Sequence, residues 1–143
     1  MIVACFSVTA VGFTVCDIDE VSSSEVMLFS GVRTNSGNGY NTTTGIFTCR
    51  IPGFYFFSVS LLKRFDYDGN TYCRIYKNSE HLVSAYSKPG PSPHTGVTAT
   101  VSNVYTHLDA GDTVNLGGCT KTASWNTGYY SPFSGFLVTP DPA

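Results

Sequence analysis

The stretch from Phe29 to Val59, FSGVRTNSGNGYNTTTGIFTCRIPGFYFFSV, decides the fold. It reads as a strand ending in Tyr40-Asn41, then a short turn closed by Gly45. A return strand, Ile46-Phe47-Thr48-Cys49, follows, and after a Pro52-Gly53 corner comes a long strand carrying Tyr55 and Phe57. The rest of the chain repeats this chemistry. Gly and Pro punctuate much of the chain, and two long runs free of both, 54–68 and 97–110, show no 3.6-residue repeat. They alternate with period two and are rich in Val, Thr and aromatics, which is strand chemistry. Val97, Ala99 and Val101 alternate with Thr98, Thr100 and Ser102, one face apolar and one small and polar. Over 54–62 both faces begin apolar, so that strand is expected to be central and covered on both sides. Further strands are expected at 5–8, 13–16, 26–29, 45–50, 71–77, 81–86, 112–116 and 133–139, with turns at 17–24, 35–39, 66–70, 88–93 and 117–131. About ten short strands and no helix predict an all-β antiparallel sandwich or jelly roll, one domain over residues 1–143.

Composition excludes several functions. Aromatics make up 14% of the 143 residues and charged residues 13%, against a usual charged share of about 25%. Disordered tails and coiled coils need the opposite balance. The net charge is −2 and Lys63-Arg64 is the only adjacent basic pair, so nothing attracts nucleic acid. Apolar runs are far shorter than the roughly 20 residues of a spanning helix. Met1-Ile2-Val3-Ala4 lacks the charged and apolar regions of a signal peptide, leaving a mature domain with a start methionine or a cytosolic protein. Of the five cysteines, Cys5, Cys16, Cys49, Cys73 and Cys119, no two form a CxxC and none has a His at ligand spacing. A disulfide framework of a secreted protein with one cysteine left over is the better reading than zinc, and spacing does not choose among its pairings.

The Phe29 to Val59 segment resembles the signature of the globular head of the complement C1q family, although Val59 stands where that signature has an aromatic. Leu108-Asp109-Ala110-Gly111-Asp112-Thr113-Val114-Asn115-Leu116 resembles the family's L-x-x-G-D-x-V-x-L turn, Phe133-Ser134-Gly135-Phe136-Leu137-Val138 its closing strand and Ala4-Cys5-Phe6-Ser7-Val8 its opening one. The resemblance implies a ten-stranded jelly roll of the C1q and tumour-necrosis-factor type, assembled as a homotrimer, here a stand-alone head without a collagen-like stalk. It also implies a Cys49–Cys73 bridge, with Cys5–Cys16 the simplest second bridge and Cys119 free. It puts Phe29, Tyr40, Phe47, Tyr55, Phe57, Phe133 and Phe136 at fold-defining positions.

No motif proposes catalysis: there is no GxSxG, HExxH or P-loop, and His107, Asp109, Ser102 and Ser134 are the chance polar content of strands. Gly111-Asp112 reads as a turn pair, Gly for a positive φ and Asp to bond the turn backbone. Asp66-Tyr67-Asp68-Gly69-Asn70 spaces oxygen ligands as calcium loops do, but Thr71 and Lys77 stand where an EF-hand needs Gly and Glu, so Asp66 and Asp68 read first as a hairpin turn. Sugar recognition has more support. The 117–131 loop offers Trp125, Tyr129 and Tyr130 for stacking, with Lys121 and Asn126 as polar partners, unless Trp125 plugs the barrel end or packs at the trimer interface. Tyr72, Arg74 and Tyr76 are expected to share one strand face, with Arg64 as a second guanidinium, a fork suited to the carboxylate of sialic acid. The expected function is a secreted, trimeric, lectin-like pattern-recognition protein of innate immunity, with no membrane insertion and no cofactor, calcium being the alternative that the resemblance keeps open. The rival is a protein-binding ligand or trimerisation module that binds no sugar. Asn41-Thr42-Thr43 is a formal N-glycosylation sequon, and the resemblance implies a structural hydrogen-bonding role for Asn41 in the Tyr-Asn element.

Overall fold

A computed structural model describes residues 10–21, 25–88 and 98–143. Among these residues ten strands occur: β1 (Gly12–Val21), β2 (Met27–Ser36), β3 (Tyr40–Asn41), β4 (Ile46–Thr48), β5 (Gly53–Leu62), β6 (Thr71–Lys77), β7 (Glu80–Ser87), β8 (Ala99–Leu108), β9 (Thr113–Gly117) and β10 (Phe133–Pro140). They form two antiparallel five-stranded sheets, ordered β2-β1-β10-β5-β8 and β3-β4-β9-β6-β7, the jelly-roll arrangement expected. The expected strand at 5–8 lies outside the described residues. The expected turn at 17–24 is partly strand, because β1 continues through buried Ile18 to Val21, which pairs with Met27.

Period-two alternation builds the core between the sheets. Tyr55, Phe57, Val59 and Leu61 of β5 point inward, as do Thr71, Cys73 and Ile75 of β6. Phe13 lies at the centre, its ring 4.9 Å from Tyr40, 5.4 Å from Phe47 and 5.1 Å from Phe133. Each such side chain contributes about 1.5–3 kcal/mol when fully buried. The hairpin quoted first is locked by its own amide pair: Asn35 Nδ2 donates to the Tyr40 carbonyl and Tyr40 N–H donates to Asn35 Oδ1. The Gly111-Asp112 turn is also as expected. Gly111 has φ +93°, and Asp112 accepts from the Asp109 N–H and from Asn78 Nδ2. The Asn78 hydrogen bond is the largest of several effects that hold the Asp112 carboxyl below the usual carboxylate range.

Two expectations change here, and one open choice is decided. First, β8 points its small polar face inward: Thr100 is fully buried and its hydroxyl is 2.7 Å from that of Thr71, while Val101 and Tyr105 face out. Secondly, β5 lies inside its sheet between β10 and β8, yet the sheet's second face is uncovered among the described residues, and Phe54 of β5 and Phe136 of β10 are exposed there. Phe136 therefore serves the outer surface and not the core.

Thirdly, the disulfide is Cys73–Cys119, with a Cα separation of 4.0 Å, and not Cys49–Cys73. Register explains it. The Cys49 N–H bonds the Asp112 carbonyl at one end of β9, whereas Arg74 pairs with Gly117 at the other. Five residues of strand, about 17 Å, separate those two points, far beyond the reach of a disulfide. Among the described residues Cys49 and Cys16 are buried free thiols, and Cys5, the partner expected for Cys16, lies outside them. The bridge closes a loop across a separation of 46 residues, which corresponds to about 4 kcal/mol in the chain-entropy account. Denaturant unfolding should show a Cys73→Ser, Cys119→Ser double variant less stable by roughly 2–4 kcal/mol, while Cys49→Ala leaves the disulfide intact by non-reducing mapping.

Candidate functional site

The outward residues of β6 come to one face as expected. Tyr72 and Arg74 are exposed and Tyr76 is half-buried, because Cys73 and Ile75 between them anchor the strand inward. The Arg74 guanidinium hydrogen-bonds the Tyr76 phenol at 3.4 Å, a phenol and not a carboxylate. That bond, the largest effect on it, pushes the Arg74 pKa further up, so it is a permanent cation.

Two adjoining cavities flank this pair. One, of about 410 Å³, is lined by Glu25, Ile46, Tyr76, Asn115 and Gly118 among others. The second, of about 360 Å³, lies between Glu25, Tyr72, Arg74, Cys119 and Lys121. Together they form a groove with two cations and one carboxylate. Gly118 makes room for it at φ +58°, where a Cβ would stand 2.9 Å from the Tyr76 Oη. Glu25, Gly118 and Lys121 reach the groove only through tertiary structure. Lys121 is brought there by the Cys73–Cys119 bridge and by the Thr120 hydroxyl, which accepts the Tyr72 N–H at 2.7 Å. The loop's position beside β6 follows from that bridge, which spacing alone does not reveal.

The other expected sugar contacts are not assembled there. Trp125 is only 1% exposed, and its indole Nε1 donates to the Thr120 carbonyl at 3.1 Å. It also forms an isolated bridge with Lys63, so it closes the end of the barrel and has no face for a ligand. Its neighbourhood includes an almost fully buried Lys63, whose Nζ donates to the carbonyls of Arg64 and Tyr67. The Asn126 backbone is held at both ends: its N–H donates to the Leu62 carbonyl, and its carbonyl accepts from the Ser131 hydroxyl. Tyr129 (76%) and Tyr130 (66%) are exposed, in a 3-10 turn that packs near β1. Arg33, for which the sequence carries no local signal, lies over the Tyr129 ring at 4.7 Å and makes a separate aromatic–cation patch.

Arg64 does not support Arg74. It makes a two-pronged pair with Asp66, at 3.1 and 3.2 Å. That pair holds the Asp66 carboxyl below its usual range, and both Asp66 oxygens are engaged. Asp68 lies in the same turn. His107 Nε2 lies 2.9 Å from both carboxylate oxygens of Asp141, and its ring meets Phe54 edge-on.

The outer face of the β2-β1-β10-β5-β8 sheet carries a second kind of feature. Phe56 pairs across the sheet with Phe136 on one side and Tyr105 on the other, forming an aromatic row over three strands. The Phe56 and Phe136 rings lie 5.7 Å apart, and Phe54 stacks on Tyr105 at 5.0 Å.

Comparison with known proteins agrees with this architecture. The globular domain of zebrafish complement 1qA superposes with a TM-score of 0.71 at 20% identity, covering 91% of this chain and 98% of that one. Murine APRIL superposes with the same TM-score at 13% identity, covering 90% and 99%. In sequence, the chain is 36% identical to Caprin-2 of Danio rerio over 79% of its own length. It is 29% identical, over 82% of its length, to one of the subunits of the Homo sapiens complement C1q subcomponent. It spans 12% and 45% of those two proteins. The C1q domain model matches residues 12–138, from the first strand to the closing one, and the chain belongs to the C1q domain family.

Proposed function

We propose that the chain is a secreted, non-catalytic recognition module that binds carboxylate-bearing glycans such as sialic acid in the groove along β6. It multiplies weak sites by assembling as a homotrimer, in the manner of an innate pattern-recognition protein. The observation that carries the reading is Arg74, a cation bonded to a phenol, lining the second cavity together with Tyr72 and Lys121. A guanidinium accepts a carboxylate bidentately, and a tyrosine ring offers a face to sugar C–H groups. Single sites of this kind are weak, and three held in fixed geometry gain roughly 10²–10⁴ in avidity.

A glycan array probed with the folded protein tests this. Acidic sugars should be bound, and binding should persist in EDTA because the cations are the protein's own. Arg74→Ala should weaken each site roughly 10- to 100-fold, the loss of one charge-assisted bidentate contact, with the assembly unchanged. Wild-type silence on the array, or an unaltered Arg74→Ala profile, overturns the sugar reading. The second reading, a trimerisation module or protein ligand, then stands on the aromatic row of Phe56, Tyr105 and Phe136.

A further inference from the structure

We propose that Asn41 carries an N-linked glycan on the edge of the β3-β4-β9-β6-β7 sheet. Asn41-Thr42-Thr43 is the only Asn-x-Ser/Thr in the chain, and residues 41–44 are all exposed. The side-chain geometry suits attachment. Asn41 Oδ1 accepts the N–H of Thr43 at 2.9 Å and of Thr44 at 3.3 Å, an Asx turn that holds the carboxamide by its oxygen and leaves the nitrogen outside the turn. That nitrogen is the atom a glycan replaces a hydrogen on, so the folded turn and the modified side chain are compatible.

The surroundings supply room and complementary chemistry. A surface cavity of about 350 Å³ borders Asn41 and is lined by Val32, Asn35, Asn38 and Thr42. Exposed Val32 offers an apolar contact for an N-acetyl methyl, and the carboxamides of this shelf can bond ring hydroxyls. Asn41 also lies on β3, an edge strand whose sole sheet neighbour is β4. Unpaired edges invite strand-to-strand aggregation, and a hydrated glycan there would block it. β4 and β9 stand between this edge and β6, so a glycan at Asn41 begins about 14 Å from the groove strand and leaves the Arg74 end open. The aromatic row lies on the other sheet and stays uncovered.

This inference rests on the reading that the chain enters the secretory pathway, and the test separates the two. The chain is expressed in mammalian cells behind a heterologous signal peptide, alongside Thr43→Ala and Asn41→Asp. The first variant removes the acceptor hydroxyl only, and the second keeps the turn's oxygen while removing the amide nitrogen. Wild type should migrate more slowly than both variants and collapse to their mobility with peptide N-glycosidase. After release in heavy-oxygen water, the tryptic peptide 34–50 should carry labelled Asp at position 41. A wild-type band insensitive to the glycosidase, or a shift that persists in Thr43→Ala, overturns the proposal. The lumenal cell fraction is scored as well as the medium, so retention in the cell does not obscure the result. Secretion of the natural gene product is measured separately, and its failure would leave the glycan result standing.

Discussion

Replacing Tyr105 and Phe136 together by serine is expected to convert the proposed trimer into monomers of unchanged β content. Both rings stand on the outer sheet face, about half exposed, and take no part in the core. Phe136 is cross-strand partner to Phe56, itself partner to Tyr105, so the pair forms the two ends of one apolar row. A monomer with such a row in water is the unusual state, since contiguous exposed apolar patches mark contact surfaces. Covering the exposed half of each ring is worth about 1 kcal/mol, and threefold assembly covers six such rings. The double variant therefore forfeits on the order of 6 kcal/mol, roughly four decades in the trimer's dissociation constant. Sedimentation or light scattering at micromolar concentration reads the mass directly, and circular dichroism reports the strands. Tyr72→Ser, on the opposite sheet, should leave the trimer whole. A wild-type protein that is monomeric, or a double variant that stays trimeric, rejects this face as the interface.

That face shows where sequence reading stops. Alternation puts Val101 opposite in phase to Thr100, as the structure has it, but nothing local says which phase faces the core. In β8 the threonine faces in, satisfied by Thr71, and the valine faces out. The closing strand is read the same way: its alternation sets Phe133 and Phe136, three residues apart, on opposite faces, and only the fold shows that Phe133 is the inward one. Strand positions, in contrast, are legible because Gly and Pro punctuate the chain and period two survives between them. The 71–77 strand appears with its expected ends and with Tyr72 and Arg74 on the expected face.

The groove is half legible for a related reason. Arg74 and its tyrosines lie on one strand, so their grouping follows from local geometry alone. Glu25, Gly118 and Lys121 come from two other segments: Glu25 is held by its carbonyl's bond to the Gly118 N–H, and Lys121 follows a disulfide whose partner choice is set by register. Pairing Cys49 with Cys73 puts the constraint on the wrong side of β9. It leaves Cys119 unassigned in the loop that in fact forms the groove wall.

Trp125→Ala is expected to lower stability by about 3–5 kcal/mol, a fall of roughly 10–20 °C in Tm for a chain of this size. The indole is among the largest fully buried side chains, and truncation opens a cavity at the barrel end while orphaning the Thr120 carbonyl. Lys63 adds to the effect. Its buried ammonium is held by two loop carbonyls next to the Lys63–Trp125 bridge, so a cavity there would weaken a charge that depends on close packing. Because Trp125 is the chain's only tryptophan, its fluorescence reports this position without interference. Native emission should be blue-shifted, resistant to acrylamide quenching and indifferent to sugar, then move to the red on unfolding. Red-shifted, sugar-sensitive emission from the folded protein would return the indole to the surface and make it a binding residue. A blue-shifted, sugar-insensitive signal combined with loss of array binding in Arg74→Ala separates the roles: Trp125 closes the barrel that positions the loop, and Arg74 meets the ligand.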